Sequence, residues 1–158
     1  LIEAGEESAN FVLVDLEGAA TATVTFAIGM SDLVIIPCKG SHLDAQQAAR
    51  AILLVRGAAR SSRRSIDHAI LFTQLPPALR SINYSDIEAQ FSHNEVPVLP
   101  VPVYNREAYR TMFSTGGTLH TLDVKGVGNI KAAKENSAAY AAAVIDRLRQ
   151  QSEQETAA

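Results

Sequence analysis

Cysteine is nearly absent from this chain, which has one, Cys38, among 158 residues. A single cysteine excludes an internal disulfide and any cysteine-rich metal site, and it fits a reducing cytosol. No apolar run approaches the roughly 20 residues of a membrane-spanning helix. The net charge of −3 excludes a global attraction to nucleic acid or to an anionic membrane. We therefore expect a cytoplasmic protein with no membrane partner, in which any binding of nucleic acid depends on a local patch.

The chain also lacks an initiator methionine and a signal peptide, and it opens on a polar Glu-Ala-Gly-Glu-Glu-Ser segment. These features lead us to expect a piece of a longer protein. The length fits one domain, and a hydrophobic content of 47% is sufficient for a sizeable core. We expect a single domain over residues 1–150, followed by a disordered polar tail over residues 151–158.

Two short apolar runs near the beginning organise the rest of the sequence. Phe-Val-Leu-Val-Asp-Leu-Glu-Gly occupies residues 11–18, and Ser-Asp-Leu-Val-Ile-Ile-Pro occupies residues 31–37. The segment between them is about one short helix long, so the pattern predicts a βαβ unit in a parallel sheet. Because ligands bind at the carboxyl ends of such strands, Asp15, Glu17 and Gly18 stand where chemistry is expected.

Strand and helix patterns alternate along the remaining sequence. Strands are predicted at residues 11–14, 33–36 and 68–73, with a short edge strand at 98–100 that passes into a loop. Helices are predicted at residues 19–30, 43–56, 83–91, 105–113 and 133–148, with Ser41 and Asn105 as caps and Gly57 as a stop. The sequence therefore predicts an α/β fold with a mainly parallel sheet flanked by helices.

These motifs, in this order, resemble the second half of the ParA/MinD family of deviant Walker ATPases. The quoted runs are followed by Leu-Asp before an Ala-rich helix, and later by Val-Pro-Val-Tyr-Asn-Arg-Glu-Ala-Tyr and Gly-Gly-Thr-Leu. The similarity is greatest to the plasmid-partition and VirC-type branch, and it extends over roughly residues 11–148. It implies a P-loop NTPase-like fold, ATP binding and slow hydrolysis with Mg²⁺. It further implies a nucleotide-dependent homodimer that acts on plasmid, chromosomal or transferred DNA together with a ParB-like or relaxosome partner.

The resemblance also implies roles for particular residues. Asp15 corresponds to the acid that holds the water shell of Mg²⁺, and Gly18 to the glycine whose N–H approaches the γ-phosphate. The adenine pocket corresponds by position to two short segments, Thr73 with Gln74, and Pro102 with Val103 and Tyr104. Leu-Glu at residues 16–17 departs from the family's commoner Thr-Pro or Thr-Ala, so this turn is expected to respond to nucleotide differently.

The family's phosphate loop, a Gly-rich turn that ends in Gly-Lys-Thr after the first strand, is absent from this chain. Residues 125–131 are rich in Gly and Lys, but no apolar strand precedes them and no Gly-Lys-Ser/Thr is present. The predicted fold is therefore incomplete, lacking the first strand and its loop. Without that cradle of N–H groups and its lysine, the isolated chain is expected to be inactive and not to hold ATP tightly.

Less specific interpretations stand beside these. Asp15 is also a common turn residue, because its carboxylate accepts hydrogen bonds from the local backbone. The missing loop permits a second function, a non-catalytic α/β interaction module that has lost nucleotide binding. The four histidines show no ligand spacing.

One basic cluster is the candidate surface for non-specific DNA. Arg56, Arg60, Arg63 and Arg64 fall within nine positions, and phosphate contacts require only clustered cations. A solvated helix end that complements the helix dipole is the favoured interpretation of the same arginines.

Overall fold

The computed structural model describes residues 2–18, 21–77, 82–122 and 128–156 of the chain. Six helices and three strands are assigned in these ranges. The helices are α1 (Ile2–Glu6), α2 (Ala22–Met30), α3 (His42–Ser62), α4 (Ile82–His93), α5 (Glu107–Thr115) and α6 (Ile130–Thr156). The strands are β1 (Leu33–Cys38), β2 (Asp67–Leu75) and β3 (Val103–Tyr104).

The three strands form one parallel sheet in the order β1-β2-β3. The register of the first pair runs from Leu33 opposite Asp67 to Cys38 opposite Phe72. Because all three strands run the same way, their carboxyl ends and the loops that follow lie at one edge of the sheet. The predicted α/β fold with a parallel sheet is confirmed.

Helices cover both faces of the sheet. Alternate side chains of β2 point to opposite sides, so Ile70 and Phe72 join the main core while Ala69 and Leu71 face the other way. The main core contains buried residues of α2, α3 and α4, and the opposite cluster contains Tyr140 and Val144 of α6 in part-buried positions, which gives a three-layer arrangement.

Helix α6 is held to the sheet by an ion pair as well as by apolar packing. The Nη2 atom of Arg147 donates to Asp67 Oδ1 at 2.6 Å and to the His68 carbonyl at 3.2 Å. Both side chains are 24% exposed, so the pair is partly shielded from water. The contact joins the last third of the chain to the first residues of β2.

The predicted strand at residues 11–14 is wrong. This segment has no secondary structure, and its apolar side chains are exposed, up to 93% at Leu13. A strand needs a neighbour that accepts and donates its main-chain hydrogen bonds. Within the described residues no strand lies beside this segment, because a groove separates it from β1 and only Leu16 packs against the main core.

Several predicted boundaries are corrected as well. Ser41 caps α3 as predicted, with its hydroxyl accepting from the Asp44 N–H, but Gly57 lies inside this helix, which ends at Arg63 in a left-handed conformation. One Gly inside a long, well-packed helix costs only about 1 kcal/mol, which tertiary contacts readily exceed. Strand β2 continues through Leu75, where the prediction placed a loop from residue 74.

The later part of the chain differs in three places. In the edge segment Val98 makes a single bridge to Ile70, and the short strand β3 lies at Val103–Tyr104 rather than at residues 98–100. The residue before α5 is Arg106, and no side-chain cap bond forms there, because the Asn105 side chain accepts from Arg110 instead. Residues 151–156, expected as a disordered tail, are helical, in keeping with the good helix propensity of Gln and Glu.

Candidate functional site

The carboxyl edge of the sheet brings three loops close together. Gly40 follows β1, and a Cβ added there would lie 3.2 Å from Leu75 Cδ2 and 3.5 Å from Tyr84 Cβ. A larger residue would push against the end of β2 and the first turns of α4. The Asn105 N–H donates to the Leu75 carbonyl at 2.8 Å, which ties the loop after β3 to the same place.

Four of the five residues of the predicted adenine pocket lie on β2 or β3 where the two strands pair. Thr73 pairs with Val103, Leu75 pairs with Tyr104, and the register shifts between these two pairs. Gln74 lies in the shift with a φ of +56°, in the left-handed region that non-glycine residues rarely occupy. Such a bulge turns the side chain away from the regular alternation of the strand. We call these residues, with the adjoining Pro102, the β2–β3 corner.

Asn136 of α6 supports this corner from the protein interior. Its Nδ2 donates to the Pro102 carbonyl at 2.8 Å, and its Oδ1 accepts from the Tyr104 N–H at 3.1 Å. Asn136 is 7% exposed and is the buried polar residue of the described part of the chain. The donor and the acceptor of its one side-chain amide thus satisfy two main-chain groups whose burial without partners would be costly.

Tyr109 of α5 completes the network. Its hydroxyl lies 3.0 Å from the Ala133 carbonyl, to which it donates, and 3.2 Å from Asn136 Oδ1. Burial raises the pKa of Tyr109, while the nearby Arg106 guanidinium lowers it by a smaller amount. The phenol therefore stays protonated and remains a donor at neutral pH.

Arg106 lies beside the corner and is half-buried. Its guanidinium carbon is 5.6 Å from the centre of the Tyr104 ring, a cation–π distance. Arg106 belongs to the Tyr-Asn-Arg-Glu motif, but the sequence patterns predicted neither Arg106 nor Asn136 as a site residue. Asn136 had a detectable signal, because it lies three positions after Ala133 and four before Tyr140, on the apolar stripe of α6.

Asp15 and Gly18 lie away from the corner. Asp15 lines a groove of about 850 Å³ between residues 9–16 and β1, with Val144 and Leu148 of α6 at its border. That groove is at the β1 edge of the sheet, whereas the corner is at the β3 edge, and no corner residue lines it. No atom of the described residues, its chain neighbours aside, lies within 4 Å of a Cβ placed on Gly18, and the residue is exposed.

The Asp15 carboxylate is compatible with the water-mediated Mg²⁺ contact that the resemblance implies. It is exposed, and within the described ranges it makes no ion pair. In the part of the chain that the structure describes, no group of three or more His, Cys, Asp or Glu residues could hold a metal ion directly. Mg²⁺ commonly binds through one or two carboxylates, water and substrate phosphates, so a single acid fits that mode.

The four arginines of the basic cluster are all exposed at the end of α3. Arg64 contacts the end of α2 and the following turn, with Nη1 3.3 Å from the Gly29 carbonyl and Nη2 3.5 Å from Asp32 Oδ1. Across the described segments, no ion pair involves Arg56, Arg60 or Arg63. Three cations of the cluster thus remain without an acidic partner there.

A parallel sheet covered by helices, with the candidate residues at and beyond its strand ends, defines an α/β protein of P-loop NTPase-like fold. The family described as VirC1 protein matches residues 2–153, and the chain belongs to that family. It is also 40% identical over 137 residues to Protein ParA of Rhizobium radiobacter. The aligned region covers 87% of this chain and 61% of that protein. The ParA/VirC-type assignment is confirmed, and the chain spans about three fifths of the ParA relative that it matches.

No helix in the described part of the chain combines the length and the apolar character that a membrane crossing requires.

Cys38, at the carboxyl end of β1, provides a test of how tightly this edge is packed. The thiol is 1% exposed and donates to the Lys39 carbonyl at 3.2 Å. Burial, with a smaller contribution from the Asp44 carboxylate, raises its pKa from 9.0 to about 11. We expect alkylation by N-ethylmaleimide at pH 8 to be slow in the native protein and fast in guanidinium chloride, because the thiolate is the reactive form.

The same shift predicts a dependence of stability on pH. A raised pKa means that the folded state favours the protonated thiol, so this stability is complete below pH 9 and declines as the pH rises toward 11. Urea unfolding of the wild type and of Cys38→Ala at pH 7 and pH 10.5 measures the difference. The stability of the wild type relative to the variant should fall between these pH values, and an unchanged difference would contradict the burial of the thiol.

Proposed function

We propose that this chain contributes the base-binding corner and the metal-binding carboxylate of a ParA-like ATPase that uses ATP and Mg²⁺. The observation that carries the proposal is the β2–β3 corner. Thr73, Gln74 and Val103, which the family resemblance assigns to the adenine pocket from separate parts of the sequence, are adjacent across one strand pair. A strained φ at Gln74 supports it, since such strain concentrates at binding sites.

In this proposal the corner would orient the adenine base. Asp15 would hold the water shell of Mg²⁺, and the Gly18 N–H would contact the γ-phosphate. The metal would neutralise charge that develops on the transferred phosphoryl group. Hydrolysis would drive partition of plasmid or chromosomal DNA, or DNA transfer, through a nucleotide-dependent dimer and a ParB-like or relaxosome partner in the cytoplasm.

Binding at the corner can be tested on this chain by NMR, which detects weak complexes. Titration with ATP and Mg²⁺ should shift the amide signals of Thr73, Gln74, Val103 and Tyr104, with a dissociation constant in the millimolar range because the phosphate loop is absent. Tyr104→Ala should reduce these shifts, and Phe113→Ala, at an aromatic residue 87% exposed on α5, should not. Nucleotide shifts confined to other residues would exclude the corner as the base site.

The role of Asp15 can be tested in the protein encoded by the complete reading frame that contains this chain. Asp15→Ala should reduce ATP hydrolysis by about 10- to 100-fold, as loss of an outer ligand of a metal does. The matched control is Glu17→Ala, which removes an exposed acid two positions away and should leave hydrolysis nearly unchanged. Undiminished hydrolysis after Asp15→Ala would show that another group holds the metal.

DNA binding is proposed for the end of α3, on the exposure of Arg56, Arg60 and Arg63. Because phosphate contacts release counterions, the logarithm of the binding constant should fall with the logarithm of salt concentration. The double variant Arg60→Ala/Arg63→Ala should reduce that slope by about 2 if both contact phosphates. Arg110→Ala serves as the control, since Arg110 is already paired with Glu107 at 2.6 Å. An affinity independent of salt would contradict phosphate contacts.

A second function, a non-catalytic interaction module, is favoured by one observation. The apolar side chains of residues 11–14 and the turn at Gly18 are exposed, outside any strand. The coding region upstream of Leu1 distinguishes the two functions. A strand followed by Gly-x-Gly-Lys-Thr there supports the ATPase, and a start codon immediately before Leu1 supports the module.

A further inference from the structure

Asn136 is the side chain that joins the first and last residues of the segment at residues 102–104. A main-chain segment in this position exposes its carbonyl and N–H groups toward α6, where water has little access. Asn136 reaches it from α6, thirty-four positions away from Pro102 in sequence, and it uses a donor and an acceptor together. Asparagine supplies both within one rigid planar group, which no aliphatic residue of similar size can do.

We propose that Asn136 is a positioning residue for the β2–β3 corner, holding residues 102–104 in the conformation that receives the nucleotide base. The proposal rests on the proposed nucleotide function, and it assigns to α6 a role in that site which the sequence motifs do not carry. Asn136 acts through Pro102 and Tyr104 and does not itself touch the base.

The geometry allows only one orientation of the amide. Oδ1 accepts from the Tyr104 N–H, and the Tyr109 hydroxyl, which donates to the Ala133 carbonyl, lies 3.2 Å from the same oxygen. Nδ2 faces the Pro102 carbonyl, which can only accept. A flipped amide would place N–H groups against the Tyr104 N–H, which is unfavourable. The network therefore determines both the side-chain orientation and the spacing of the two main-chain groups.

Preorganisation explains why this would matter for binding. The corner contains a residue at positive φ, Gln74, and a shift of register, both of which weaken the regular strand pairing. An anchor in the interior keeps the paired segment in place when the base is absent. Binding then loses less conformational entropy, and affinity rises without a new contact to the ligand.

Two variants separate the two halves of the contact. Asn136→Leu removes both hydrogen bonds at similar volume. Asn136→Asp keeps the acceptor for the Tyr104 N–H but replaces the donor to Pro102 with a carboxylate oxygen, which repels that carbonyl. Ser137→Ala is the matched control, because Ser137 is the next residue of α6 and, among the described residues, its hydroxyl bonds to the Lys134 carbonyl of the same helix alone.

The readouts are the amide proton shift of Tyr104, its hydrogen exchange, and the affinity for ATP and Mg²⁺ from the NMR titration of this chain. Asn136→Leu should move the Tyr104 amide signal upfield, accelerate its exchange and weaken ATP about tenfold or more, from the loss of two buried hydrogen bonds. Asn136→Asp should retain the Tyr104 signal but still weaken ATP. Ser137→Ala should change none of these three readouts. If Asn136→Leu does not fold, the ATP affinity of folded Asn136→Asp tests the proposal.

The outcomes distinguish this proposal from the proposed function. If the wild type binds ATP at the corner and both Asn136 variants bind it equally well, Asn136 is structural only and the positioning role is overturned while the nucleotide site stands. If ATP causes no shifts at the corner of the wild type, the proposed base-binding site is wrong, and the positioning role falls with it. In that case a changed Tyr104 amide signal in Asn136→Leu would show only that the hydrogen bond exists, without a role in nucleotide binding.

Discussion

The structure depends on the pairing of β2 with a parallel strand on each side. Main-chain N–H and C=O groups of a buried strand need partners, and β2 is the strand of the described sheet that has them along both edges. Its side chains Ile70 and Phe72 are almost fully buried, as are Ala69 and Leu71 on the other face. The loops at the carboxyl edge, the corner and the docking of α6 all take their places from this strand.

The two parts of the proposed nucleotide site, the β2–β3 corner and the segment of Asp15, differ in how firmly they are attached to β2. The corner is attached directly to β2 and is anchored from behind by Asn136 and Tyr109. Asp15 belongs to a segment of mostly exposed side chains, of which Leu16 packs against the main core, beside a groove along β1. A segment with few buried contacts and no ladder of hydrogen bonds is the kind of region that responds to a ligand or partner. That contrast suits a site whose base end is preformed and whose metal end is completed by other contacts.

Membership in the VirC1 family and 40% identity to Protein ParA agree with this arrangement of sheet and helices. The position of the basic cluster does not depend on the carboxyl edge of the sheet. It is set by the length of α3, which carries the arginines to the end of the helix. The extension of α3 past Gly57 to Ser62 puts Arg56 and Arg60 on one helix, one turn apart, and the left-handed Arg63 directs the chain back toward β2.

The sequence by itself determined the features that depend on local chemistry and periodicity. The apolar runs of β1 and β2, the Ser41 cap and the two glycines after α5 are recognisable because each is specified by neighbouring residues. The order of motifs also identified the family.

Tertiary structure decided the rest. Residues 11–14 have the composition of a buried strand, but composition cannot supply a neighbouring strand, and without one the segment is irregular and exposed. Asn136 and Pro102 are brought together only when α6 packs on the sheet, and the bulge at Gln74 follows from pairing with β3. Contacts between residues so far apart in sequence depend on packing of whole elements, and for that reason no local pattern could reveal them.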